Sequence, residues 1–171
     1  MKIEILYLEQ LQFEKVSYYT VRVVGKAMTE FDEFQKKFNV PGKNKDQLAE
    51  INRFIKTMGN DYGALDQYFK REGYAERLPP PYYRFVESDG ETDFGLRLYC
   101  IRLTDEVVIL LNGCRKTAQA VKNCSNCFEH FQLANQISDA IYAAMQNGEI
   151  EIDGFDLLTD EDFVLDIKQQ L

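Results

Sequence analysis

Four basic residues stand close together in an apolar part of this 171-residue chain. The stretch GLRLYCIRLTDEVVILLNGCRKT, residues 95–117, contains Arg97, Arg102, Arg115 and Lys116. Its pattern predicts two strands joined by a tight turn at Thr104-Asp105, which would place these cations on one small sheet. Cations held on a rigid sheet can bind a phosphate group and stabilise charge that develops on it.

The same four cations have an ordinary alternative. They are also placed to form ion pairs with Glu87, Asp105 or Glu106, and exposed pairs of this kind contribute little to stability. The sequence leaves both interpretations open.

The cysteines allow a metal site but do not favour one. Cys124 and Cys127 form a C-x-x-C pair, the only histidine follows at His130, and Cys114 precedes them. These four residues could in principle bind zinc. We favour free thiols, because the spacing straddles a predicted helix start and a cytosolic chain is not expected to form disulfides. We therefore expect neither a metal nor another cofactor.

Charge is unevenly distributed along the chain. The net charge is −8, and residues 148–171 hold eight acidic residues and one lysine, which gives −7 and leaves −1 for residues 1–147. We divide the chain accordingly into a main domain, 1–147, and an acidic C-terminal extension, 148–171. The extension is interpreted as a solvated amphipathic element, and the alternative is a shield that folds over the cations.

Length and composition fit one globular domain in the cytoplasm. The hydrophobic fraction of 45% suffices for a core. The longest apolar run, Val107–Leu111, is too short to span a membrane. Glu4 and Glu9 stand where a signal peptide would need an apolar segment.

The order of predicted elements indicates an α+β fold. A strand at Tyr18–Val24 precedes two helices, the first capped by Thr29, and a short third helix is expected over Ala64–Arg71. Three strands follow, beginning with Tyr82–Glu87. Two more helices are predicted, over 125–147 and 161–170. This order favours a small antiparallel meander with helices on one face and a helical C-terminal extension.

The stretch Leu96–Gln119, LRLYCIRLTDEVVILLNGCRKTAQ, resembles the RelE/ParE-type toxins of bacterial toxin–antitoxin modules, in particular the HigB-like and phage-associated branch. The resemblance implies a metal-independent endoribonuclease that cuts messenger RNA. It would assign catalysis to Arg97, Arg115 and Lys116, and RNA binding to Arg84 and Arg102. It also implies an antitoxin-like protein partner and contact with RNA or the ribosome, but not with a membrane.

Two features depart from that family. Its active members are strongly basic, which suits polyanionic RNA, whereas this chain is acidic. No acid or base for proton transfer is evident, since His130 falls on the predicted last helix. The alternative function is therefore a non-catalytic protein-interaction module on the same scaffold.

Overall fold

A seven-stranded sheet runs through the molecule, with helices on both of its faces. It is seen in a computed structural model that describes residues 1–168. The strands are β1 Lys2–Gln12, β2 Ser17–Val23, β3 Lys70–Glu72, β4 Ala75–Leu78, β5 Gly95–Arg102, β6 Val107–Lys116, β7 Ile150–Asp153, β8 Asp156–Thr159 and β9 Leu165–Asp166. The helices are α1 Glu30–Phe38, α2 Lys43–Thr57 and α3 Phe128–Gln146. The predicted α+β class is confirmed.

The strand order is β3-β4-β5-β6-β2-β1-β9, so the sheet is larger than the small one predicted. Strands β4, β5 and β6 form an antiparallel meander. The pair β2–β6 is parallel, and it extends only from Ser17–Val107 to Thr20–Leu110. Beyond Thr20 and Leu110 the two strands no longer pair, which opens the sheet between them while β6 continues to Lys116 beside β5.

Helices cover both faces of the sheet, and not one face as predicted. In β5, Leu96, Leu98 and Cys100 pack in the core on the side of α1 and α2. Tyr99 and Ile101 point the other way, into the core beneath α3. A strand that is apolar on both sides needs cover on both sides, and α3 supplies the second layer.

Helix α1 follows the sequence prediction closely. The Asp32 backbone N–H donates to Thr29 Oγ1 at 3.1 Å, so Thr29 caps the helix as expected. Phe31, Phe34 and Phe38 recur at helical spacing and are all buried. This stripe fixes α1 against the sheet and leaves its polar face toward the opening between β2 and β6.

Two elements predicted before β5 are wrong. The region expected to be a helix over Ala64–Arg71 contains only a 3₁₀ turn, Asp66–Tyr68, and the start of β3. The expected strand at Tyr82–Glu87 is irregular, and β4 takes its place in the meander. Proline has no N–H for a ladder, so Pro79 ends β4 and the following residues leave the sheet.

The C-terminal extension is built from strands, so the predicted helical extension is wrong where it is described. Strands β7 and β8 form a hairpin, and β9 pairs with β1 through Ile3–Leu165. Ile150, Leu165 and Ile167 are buried in the core under α3. Leu165 and Ile167 are two residues apart, which is the spacing of a strand face and not of a helix face. Residues 169–171 of the predicted helix lie outside the described residues. The extension follows the β1 edge of the sheet, away from β4 and β5.

The expectation of free thiols is wrong for two cysteines. Cys114 and Cys127 form a disulfide that joins β6 to the residue before α3, whereas Cys100 and Cys124 are free and buried. Sequence spacing pointed to Cys124 and Cys127 as a unit, but the end of β6 brings Cys114 to Cys127. Within residues 1–168, no three His, Cys, Asp or Glu side chains are grouped to hold a metal ion. None of the described helices is long and apolar enough to cross a membrane.

Candidate functional site

The predicted cations divide between the two faces of the sheet. Arg97 and Lys116 lie on the α3 side, because they alternate with residues of the other core. Arg102 and Arg115 lie on the side of α1 and α2. Arg84 is exposed in the irregular segment between β4 and β5. The sheet therefore brings two of the five cations together and separates the rest.

Arg115 and Arg102 are held by local partners. Arg115 pairs with Asp93 at 2.9 Å and donates from Nε to Asn44 Oδ1 at 3.0 Å. Arg102 donates from Nε to Ala64 O at 2.6 Å and pairs with Asp105. The pairing of Arg102 with Asp105 is the ordinary alternative that the sequence left open. Through these contacts, both arginines hold residues of neighbouring loops against the sheet.

Arg97 and Lys116 are joined by Arg77, and we call these three residues the basic cluster. Arg77 in β4 lies opposite Tyr99, two residues along β5 from Arg97 and on the same face. The residues are almost fully buried, with exposed fractions of 5% for Arg77 and 9% each for Arg97 and Lys116. Arg77 was not identified from the sequence because β4 was not predicted as a strand.

The groups of the basic cluster repel one another. Burial lowers the pKa of Arg97 to about 10, and the charge of Arg77 contributes to the shift. Burial likewise lowers the pKa of Lys116, with Glu72 opposing the shift and Arg97 adding to it. Arginine side chains are not deprotonated in proteins, so Arg77 and Arg97 form, together with the Lys116 ammonium, a buried patch of positive charge.

A second arrangement of polar residues lies at the opening between β2 and β6. A cleft of about 410 Å³ is lined there by Met28, Glu33, Lys36, Lys37, Asn112 and His130. We call it the β2–β6 cleft. The Phe31 backbone N–H donates to Thr20 Oγ1 at 3.3 Å, which fixes the start of α1 beside the end of β2. Crevices where neighbouring parallel strands diverge are common ligand sites.

Asn112 is the centre of a hydrogen-bond network in the cleft. Its Nδ2 donates to Glu30 Oε2 at 3.0 Å and to Glu33 Oε2 at 3.2 Å. Its Oδ1 accepts from Lys37 Nζ at 3.2 Å and from the Gly113 backbone N–H at 2.8 Å. An amide has two donor hydrogens and two acceptor lone pairs. All four of these positions form hydrogen bonds in Asn112, whose exposed fraction is 5%.

Lys37 connects α1 to α3 across the opening. The stem of Lys37 is exposed, but Nζ turns inward, donates to Gly113 O at 2.7 Å and lies 3.3 Å from His130 Nε2. Burial and the Lys37 charge lower the pKa of His130 to about 4, so its ring is neutral at pH 7. In that form Nε2 accepts the hydrogen bond from Lys37 and Nδ1 carries the proton.

Burial also shifts the pKa of two charged groups hydrogen-bonded to Asn112. It raises the pKa of Glu30 and lowers that of Lys37. An ammonium and an imidazole with perturbed pKa values that line one cleft are typical of acid–base sites. Glu33 also lines the cleft and places a carboxylate near the Lys37 ammonium.

Sequence reasoning missed most of this cleft. Glu30 and Glu33 stand in the first turn of α1, where acidic residues are common and need no functional explanation. One usable signal was Asn112, a polar residue that directly follows the apolar run of β6 and is buried in a central strand. From the sequence, His130 is a candidate metal ligand that falls on the last predicted helix, and nothing there shows that α3 meets Lys37.

The chain matches no protein-family model, no curated protein and no solved structure. The resemblance to RelE/ParE-type toxins therefore stays a prediction.

Proposed function

We propose that the chain is a metal-independent endoribonuclease with its acid–base groups in the β2–β6 cleft. The observation that carries the proposal is the convergence of Glu33, Lys37 and His130 around Asn112, where β2 and β6 diverge. The resemblance to RelE/ParE-type toxins supports the same reaction class. The cleft supplies the proton-transfer groups that the sequence alone did not reveal.

The proposed reaction is an internal phosphoryl transfer in RNA. Glu33 accepts the proton of a ribose 2′-hydroxyl, and O2′ forms a bond to the adjacent phosphorus. The bond from phosphorus to O5′ breaks, and the leaving oxygen takes the Lys37 ammonium proton that points to His130 Nε2 before the substrate binds. Burial makes that ammonium a stronger acid, and its charge stabilises the phosphoryl oxygens. The products are a 2′,3′-cyclic phosphate and a 5′-hydroxyl, after which Glu33 and Lys37 exchange protons with water.

Two supporting roles complete the proposal. Asn112 orients Glu33, and it forms its bond to Lys37 through the opposite end of the same amide. Neutral His130 accepts from Lys37 and directs its ammonium, which makes it a positioning residue. Messenger RNA as the substrate and an antitoxin-like protein as the partner belong to the proposal through the resemblance.

The test is cleavage of a labelled single-stranded RNA in the presence of EDTA. We expect the native protein to release fragments with 2′,3′-cyclic phosphate ends. Glu33→Gln and Lys37→Gln should each lower the rate about 100-fold, which is typical for loss of a proton-transfer group. Glu14→Gln and Lys15→Gln are matched controls in the exposed turn between β1 and β2, and both should cleave normally. An inactive native protein, or full activity in Glu33→Gln, would remove the basis of the proposal.

A protein-interaction module is the second candidate, and exposed side chains between β4 and β5 favour it. Tyr82 and Val86 have exposed fractions of 69% and 92%. Apolar side chains this exposed are typical of contact sites when they form a patch. If the native protein leaves RNA intact and Tyr82→Ser with Val86→Ser abolishes capture of a defined partner, this second function replaces the first.

A further inference from the structure

We propose that the basic cluster is a separate binding site for a phosphate group. It lies on β4, β5 and β6 beneath the α3 side of the sheet, and shares no side chain with the β2–β6 cleft. The inference does not depend on ribonuclease activity. It depends on buried cations whose charge and hydrogen-bonding groups the described part of the protein leaves unmatched.

The cluster has three cations and one neighbouring carboxylate. Glu72 Oε1 lies 3.6 Å from Arg77 Nε and is the nearest ion-pair partner of the cluster. Among residues 1–168, neither Arg97 nor Lys116 forms an ion pair with a carboxylate. The charge of Asp93 slightly raises the pKa of Arg97, which burial lowers, but the Asp93 carboxylate forms ion pairs with Lys43 and Arg115 on the other face. A net positive charge therefore remains buried, and burying charge without a partner is unfavourable.

Hydrogen bonds are missing as well. Arg97 donates from Nη1 to the carbonyl of its neighbour Leu96 at 3.0 Å, and Arg77 donates from Nη1 to Pro79 O at 2.7 Å. The Nε atoms of both arginines are buried without a hydrogen bond. Arg77 Nε faces the Glu72 carboxylate at 3.6 Å, whereas Arg97 Nε has no acceptor within the described chain. Buried donors in folded proteins are nearly always paired, so Arg97 Nε indicates an acceptor that binds from outside.

Lys116, the last residue of β6, is the third cation of the cluster. Its Nζ lies 5.6 Å from the centre of the Phe94 ring, and no hydrogen bond from it is found in the described residues. Lys70 lies opposite Arg77 on the edge strand β3 and is exposed. The exposed charge of Lys70 adds to the positive potential at the β3 edge of the cluster and attracts anions there.

A tetrahedral oxyanion with two charges fits these donors best. Each guanidinium presents a planar fork that matches two oxygens, whereas an ammonium binds as a point charge. Two forks and one ammonium can share the oxygens of a phosphate group. A carboxylate offers only two oxygens, and chloride has no directional acceptors. Inorganic phosphate and a phosphomonoester present the same chemistry.

The test is a phosphate titration at constant ionic strength, with chloride as the balancing anion. We expect saturable binding of inorganic phosphate by calorimetry and a rise in the unfolding temperature, because a ligand of the folded state stabilises it. Arg97→Gln and Lys116→Gln should each weaken binding at least tenfold. Arg84→Gln, an exposed cation outside the cluster, and Glu33→Gln in the cleft should bind normally. The last variant separates this inference from the nuclease proposal.

Further ligands define the site. Ribose 5-phosphate that binds as well as inorganic phosphate identifies a site open to esters, and phosphate binding alone identifies a closed oxyanion site. Either result supports the inference. Acetate that binds as tightly as phosphate overturns it, as does a native protein that responds to phosphate no more than to chloride. If Arg97→Gln does not fold, Lys116→Gln decides, and unchanged phosphate affinity in that variant overturns the inference.

Discussion

The β2–β6 cleft and the basic cluster share strand β6, but buried charges are paired with opposite charges in the cleft and left largely unpaired in the cluster. In the cleft, carboxylates and an ammonium of opposite sign converge on Asn112, and every polar atom of that amide is paired. In the basic cluster, groups of like sign meet, and the buried Nε atom of Arg97 is unpaired. The cleft network satisfies its own hydrogen bonds and holds its side chains in place, whereas the basic cluster leaves donors open for a charged ligand.

One disulfide lies between these two regions. Cys114 follows Asn112 by two residues and pairs across the ladder with Arg97. Its partner Cys127 precedes α3, which carries His130 into the cleft. The two regions are therefore chemically distinct but depend on the same crosslink for their geometry.

Asn112→Ala should have the largest effect, because it removes the side chain on which the cleft converges. Glu30 and Lys37 would lose partners in a buried setting, and we expect a loss of about 4 kcal/mol in the free energy of unfolding. Urea denaturation measures the change. Asn126→Ala, at an exposed asparagine, is the control and should change stability little. A loss below about 1 kcal/mol would mean that the network is not a stabilising unit.

Removal of the crosslink should act on both regions together. The double substitution of Cys114 and Cys127 by serine opens a loop with a sequence separation of 13 residues and should cost about 3 kcal/mol. The midpoint of urea denaturation, with and without a reducing agent, checks this expectation. Equal midpoints for the native protein in both conditions would show that the crosslink does not stabilise the fold.

His130 should make stability depend on pH. Its pKa falls from 6.5 to about 4 on folding, so the unfolded chain binds more protons between these values. The contribution of neutral His130 is complete above about pH 6.5 and is lost as pH falls toward 4. We expect a loss of about 2 kcal/mol over this range after solvent screening.

The variant His130→Gln isolates that effect, because its amide oxygen can still accept from Lys37. The raised pKa of Glu30 changes stability in the opposite direction in both proteins and cancels in the comparison. Parallel stability curves for the native protein and the variant between pH 4 and 6.5 would contradict the prediction.

Arg97→Met should have the smallest effect and the opposite sign. Removing an unmatched buried charge should stabilise the phosphate-free protein by about 1 kcal/mol, whereas the same change at a paired site would destabilise it. Thermal unfolding in chloride buffer measures the difference, with Arg84→Met as the exposed control. Destabilisation by Arg97→Met would show that the guanidinium is already matched within the protein.

Sequence patterns predicted the elements whose signal is local. The capped α1, the antiparallel strands β5 and β6, and the long α3 follow from periodicity and turn residues. The strands β3, β4 and β9 are short, and their pairing is decided by distant partners, so local propensity did not identify them.

The sites were harder to predict than the fold for the same reason. Arg97 and Lys116 could be singled out because they stand near each other in the chain, and Arg77 could not. The cleft joins α1, β6 and α3, whose contacting residues Lys37 and His130 are 93 positions apart. No spacing rule reaches that far, although the buried Asn112 was a local sign of a polar site.

The most direct test of the account is an NMR titration of the ¹⁵N-labelled protein with a 2′-O-methyl RNA, which can bind but cannot react. We predict saturable shifts of the backbone amides of Glu33, Lys37, Gly113 and His130, which surround the cleft. No shift at these residues while the RNA binds elsewhere, or no binding at all, would contradict the assignment of the cleft as the catalytic site.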